Sequence, residues 1–142
     1  MASEKLKDML NEAIARELAV SISYMWQHVM MAQVGAETMG SLMKKIAIIE
    51  MTHAEEVAER LVGLGGTPTM EPAKIEAVPP DPAEMLKVDI GLEGGATSLY
   101  RQIIVQATKE NDPKTRKLFE EILSDEEHHY HTFTTLLETV RG

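Results

Sequence analysis

Apolar residues recur along this chain at helical spacing, and almost nowhere with the period of two that marks a strand. From about Ser3 to Val34, Leu6, Leu10, Ile14, Leu18 and Ile22 follow one another at steps of four, and Gly35 then interrupts the pattern. A second periodic stretch runs from about Thr38 to Leu64, with Leu42, Ile46, Ile49, Val57 and Leu61 on one side. Gly65-Gly66 closes it, as residues free to leave the helical conformation do. The third opens at Asp81-Pro82-Ala83-Glu84, which supplies an N-cap, a proline in the first turn and an acid after it, and it reaches about Glu110. Asp112-Pro113 repeats that start signal, and a fourth helix follows to about Val140. The pattern predicts an all-α chain of four long helices.

The connections set the topology. Helices one and two are joined by a few residues, as are helices three and four, so each pair forms an antiparallel hairpin. The segment from Gly65 to Pro80 is longer and contains Pro68, Pro72, Pro79 and Pro80. Extended, it reaches roughly 53 Å, whereas a helix of the third segment's length spans roughly 42 Å. It can therefore cross the whole bundle, which gives a four-helix bundle of two hairpins joined by a long crossover. The length of 142 residues fits a single domain spanning 1–142.

Composition narrows the chemistry. The chain has no cysteine, which removes disulfides, iron–sulfur clusters and thiol catalysis. Acids outnumber bases 23 to 14, for a formal charge of −9. That balance argues against a nucleic-acid partner and suits a protein that attracts cations. No apolar run has membrane length and no signal peptide opens the chain, so the expected location is the cytoplasm.

Against this background two short motifs stand out. Glu50-Met51-Thr52-His53 places a carboxylate and an imidazole three residues apart in helix two, and Glu126-Glu127-His128-His129 does the same in helix four. Residues at i and i+3 share a helix face. One such motif is common on helix surfaces, but this one belongs to an internal repeat. Glu126 follows Glu50 by 76 residues, and the same offset relates His129 to His53, Glu93 to Glu17 and Tyr100 to Tyr24. Glu17 and Glu50 also lie equally far from the first turn, and Glu93 and Glu126 from the second, so each pair is level within its hairpin. Four carboxylates and two imidazoles are thus expected to converge. Left alone in an apolar core, the carboxylates would be costly or would take up protons. Two divalent cations offset them, and this oxygen-rich donor set suits iron or manganese. Glu50 and Glu126 are the expected bridges, with Glu17 and His53 completing one ion and Glu93 and His129 the other.

The whole pattern resembles the bacterioferritins, within the ferritin-like di-iron carboxylate superfamily. Glu17, Glu50-x-x-His53, Glu93 and Glu126-x-x-His129 carry the resemblance, together with Asp89-Ile90-Gly91-Leu92-Glu93 and Ser124-Asp125-Glu126-Glu127. It implies a ferroxidase centre that binds two iron ions and oxidises Fe(II) with oxygen or peroxide, in iron storage or detoxification. Tyr24 resembles the tyrosine beside that centre. The family usually continues into a short fifth helix that helps to close its cage. This chain is expected to have no fifth helix, which weighs against such a cage; a homo-oligomer of at least a dimer is expected.

Several positions admit two readings. Met51 matches the methionine that ligates a haem shared between two bacterioferritin subunits; it also suits packing against a partner chain. Trp26, beside Met25, Met30 and Met31, is read as part of a subunit interface. His28 is read as a polar residue near the bundle end, and His128 and His131 as solvated. A rubrerythrin-like peroxidase would carry a glutamate where this chain has Ala96. A bundle that holds metal or haem as a dimer without turnover is the non-enzymatic alternative. A DNA-protecting shell would place its ligands between subunits, whereas here one chain supplies all six.

Overall fold

The computed structural model describes residues 1–141, and the residues it describes form four α-helices with no strand. They are α1 (Glu4–Gln33), α2 (Glu37–Gly63), α3 (Pro82–Lys109) and α4 (Pro113–Arg141). Helix α1 starts at Ser3, whose hydroxyl accepts from the amide of Leu6 at 3.0 Å and donates to Glu110 at 2.6 Å. One side chain thus caps α1 and ties its start to the end of α3. Asp81 caps α3, with Pro82 in its first turn, as expected. Helices α1, α2 and α3 all terminate at residues with positive φ: Gly35 at 81°, Gly65 at 85° and Asn111 at 55°. Left-handed backbone favours glycine and tolerates asparagine, so these three residues turn the chain out of its helices.

The main packing is within the two antiparallel hairpins, α1 with α2 and α3 with α4, and α1 against α3 joins them. The crossover climbs beside α1. Asn11 accepts from the amide of Thr69 and donates to the carbonyl of Thr67, and the amide of Ala73 donates to the carbonyl of Ala15. At the lower end Arg60 of α2 donates to Asp112 and Thr115 at the start of α4.

The core is divided. Leu6, Leu10, Leu61, Ile103, Phe119 and their neighbours pack one half, and Met31, Met43, Met85, Leu86, Phe133 and theirs pack the other. Between them lies a buried polar layer.

Some faces differ from the sequence reading. Leu18 and Ile22 are only partly buried. A step of four residues advances about 40° beyond a full turn, so a run of such steps rotates off the core. Ile49, expected inward, is exposed, because it neighbours Glu50 on a helix whose buried stripe is occupied by Ile46, Glu50, His53 and Val57. Met31, expected beside Trp26 on the outer face, is fully buried.

Candidate metal centre

The polar layer receives one level from each helix: Glu17 from α1, Glu50 and His53 from α2, Glu93 from α3, Glu126 and His129 from α4. All six are buried. Their donor atoms fall into two groups. Glu17, Glu50, His53 and Glu126 each offer an atom within 4.8 Å of the others, and so do Glu50, Glu93, Glu126 and His129. Glu50 and Glu126 belong to both. The Nδ1 of His53 faces Glu126 at 3.1 Å, Glu50 at 3.3 Å and Glu17 at 3.7 Å. The Nδ1 of His129 faces Glu50 at 3.3 Å and Glu126 at 3.8 Å.

Buried polar atoms are almost always hydrogen-bonded. Here the Oε2 of Glu17, both oxygens of Glu50 and Glu126, the Oε2 of Glu93 and the Nδ1 of both histidines have no hydrogen-bond partner among the described residues. These unpartnered atoms converge from four helices, and no lysine is buried among the described residues to neutralise them. The donor set fits two hard divalent cations.

Burial shapes the acid–base chemistry. Desolvation, reinforced by neighbouring carboxylates, holds Glu50, Glu93 and Glu126 well above the usual carboxyl range. For His53, burial lowers the pKa, but the carboxylates of Glu126, Glu17 and Glu50 outweigh it and hold the ring protonated. His129 is pushed down to about 4 by burial and by the charge on His53. Protons therefore partly offset the negative charge of the layer.

Each tyrosine of the repeat reaches across to the other hairpin. The Tyr24 hydroxyl donates to Glu93 at 2.8 Å, and the Tyr100 hydroxyl donates to Glu17. Tyr24 packs edge-on against Phe133, and Tyr100 against Phe119, with ring centroids 5.5 and 5.4 Å apart. These aromatic pairs cap the layer on its two sides. A cavity of 330 Å³ between α1, α3 and the crossover connects the exposed rim at Glu12 and Lys74 with Glu17, Glu50 and Glu126.

Two polar contacts were not anticipated from the sequence. Asp125 lies 2.8 Å from the outer nitrogen, Nε2, of His53. Gln27 donates to Asp89 at 2.8 Å, and both residues are buried beside Tyr24. The signal for Asp89 was its place four residues before Glu93, on the same face. Asp125 gave none, since its neighbour Glu126 claims the inner face and Asp125 reads as solvated.

The remaining positions fall as follows. Met51 is 46% exposed, on the outer side of α2. Trp26 is 60% exposed. His28 is held by the carbonyl of Gly40 at 2.8 Å, at the α1–α2 corner rather than at the centre. His128 and His131 are exposed, and Ala96 is buried.

A four-helix bundle with one crossover and paired Glu-x-x-His motifs facing its interior defines a ferritin-like carboxylate protein. The ferritin-like domain family matches residues 7–142. The chain is 35% identical over 129 residues to a bacterioferritin of Desulfovibrio desulfuricans, a match covering 88% of this chain and 70% of that one. It is 29% identical over 126 residues to a bacterioferritin of Rhodobacter capsulatus (88% and 78% covered) and 25% identical over 134 residues to one of Brucella melitensis (94% and 83%). The chain belongs to the bacterioferritin family. No described helix is long and apolar enough to cross a membrane.

Proposed function

We propose that residues 1–142 act as one di-iron domain that takes up two Fe(II) ions as substrate and oxidises them with oxygen or peroxide. The observation that carries this reading is the convergence of unpartnered, buried carboxylate and imidazole atoms in two groups sharing Glu50 and Glu126. Glu17 and His53 hold one ion, Glu93 and His129 the other, and Glu50 and Glu126 bridge them. Two Fe(II) together supply the two electrons that reduce one peroxide to water, or one oxygen molecule to peroxide.

The chain's own groups do the rest. Glu50, Glu93 and Glu126 release protons as the cations arrive, because the same oxygens serve both. Tyr24 and Tyr100 hold the terminal carboxylates Glu93 and Glu17 in place. Tyr24, next to Glu93, is also the group placed to serve the reaction as a catalytic residue. The cavity beside Arg16 and Lys74 is the entry for iron and oxidant. On the outer surface the half-exposed Met51 borders a groove with Ala54 and Ala58, which supports haem ligation between two copies. The exposed Trp26 supports the same homo-oligomer.

The test is to load apo protein with Fe(II) anaerobically, mix with oxygen or peroxide, and follow near-ultraviolet absorbance. A rapid phase saturating at about two irons per chain is expected, as four carboxylates balance two divalent ions. Glu50→Ala and Glu126→Ala should each abolish it, since each removes a ligand shared by both groups. Oxidation at the wild-type rate in both variants would refute the site. No phase faster than free iron would leave a manganese- or haem-binding role, read from bound metal and a Soret band.

A further inference from the structure

The 76-residue repeat extends beyond the six ligands. It relates Tyr24 to Tyr100 and even the turn residue Gly35 to Asn111, both with positive φ. At the two histidines it breaks. Both rings turn Nδ1 towards the carboxylates. On the outer side, the Nε2 of His53 meets the Oδ2 of Asp125 at 2.8 Å. The repeat-related position is Ile49, a hydrocarbon side chain that has no acceptor to offer the Nε2 of His129.

That difference has a direct chemical consequence. A histidine that ligates through Nδ1 keeps its proton on Nε2. A carboxylate accepting that proton fixes the ring's orientation and makes Nδ1 a stronger donor. Isoleucine does neither. Asp125 is itself no ligand: it stands outside the ring of donors, with its side chain 54% exposed, while the His53 side chain is 4% exposed.

We propose that Asp125 is a positioning residue that makes the two metal positions unequal, so that the Glu17–His53 position fills first and holds a divalent cation more tightly than the Glu93–His129 position. This rests on the reading of the six residues as metal ligands. Loss of such an outer partner typically weakens a site about 10–100-fold, which sets the expected separation. The buried Gln27–Asp89 pair also breaks the repeat, its counterparts being Ile103 and Ala13. It touches neither histidine and is unchanged in the variants below.

Co(II) is the probe, because it is stable in air and its visible absorption reports each site. Titrating apo wild type should show two steps of one equivalent each, separated by about 10–100-fold. Asp125→Ala should weaken the first step by that factor and leave the second. Ile49→Asp, which gives His129 the missing partner, should tighten the second step. In the Zn(II)-loaded protein, the Nε2–H proton of His53 should resonate far downfield, and Asp125→Ala should abolish that signal. Two equal steps in wild type, or an Asp125→Ala titration identical to wild type, would overturn the proposal while leaving the ligand set intact. Failure to bind cobalt at all would overturn the ligand reading beneath it.

Discussion

A carboxyl group sealed in a protein core must gain a cation, a hydrogen bond or a proton. The polar layer holds four such groups, and Asp89 is the fifth, one turn from Glu93. Among the described residues its only hydrogen bond is from Gln27, and burial pushes its pKa up to about 8 from an ordinary 3.8. The folded chain therefore holds a proton on Asp89 that the unfolded chain has already lost. Stability from this group is full below about pH 4 and is lost as the pH rises towards about 8. Asp89→Asn keeps the shape and the oxygen that accepts from Gln27 but cannot ionise. It should stabilise the apo protein by about 2–4 kcal/mol at neutral pH and flatten the pH dependence of its thermal unfolding. An unchanged pH profile would show that Asp89 ionises freely in the fold.

At the scale of the helices, the sequence was informative where a residue type has one physical use. Pro82 and Pro113 open helices, Gly35 and Gly65 close them, and the segment between α2 and α3 is long enough to cross the bundle. The Glu-x-x-His motifs were legible because their spacing matches a helix turn and recurs after 76 residues. Face assignments were less secure. Ile49 reads as core by composition but lies outside, since adjacent Glu50 and Ile46 take the buried stripe. The Asp125–His53 contact joins α2 to α4 and depends on the pairing of helices across the bundle, which no local pattern encodes. Gly40 is a further case. A Cβ there would lie 2.9 Å from the carbonyl oxygen of His28 and 3.3 Å from the Cβ of Met31. Glycine thus lets α2 start close against α1, with His28 bonded to the Gly40 carbonyl. Backbone cannot yield as a side-chain tip can, so Gly40→Ala should destabilise by about 1–3 kcal/mol despite its higher helix propensity. Denaturant unfolding measures it, and a stabilised variant would mean that the corner relaxes freely.

The molecule as a whole sets two apolar half-cores against a layer of charge, and its stability depends on what fills that layer. Without metal, the layer relies on protons held by Glu50, Glu93, Glu126 and His53. Raising the pH removes protons from the three glutamates, whose pKa values lie above their unfolded values, so this contribution to apo stability declines with pH. On the proposed reading, cations would use the same oxygens and compete with those protons, so their binding should strengthen over the same range. The two trends have opposite signs, and the gap between loaded and apo protein should widen as the pH rises. With Zn(II) at about 100 times its dissociation constant, one filled site adds about 2.7 kcal/mol. For a chain of this size that corresponds to a rise in Tm of roughly 5–10 °C. Thermal unfolding with and without Zn(II), from about pH 5 to pH 8, tests the coupling. A constant shift across that range would mean that binding displaces no protons, and that the buried carboxylates are already ionised in the apo bundle.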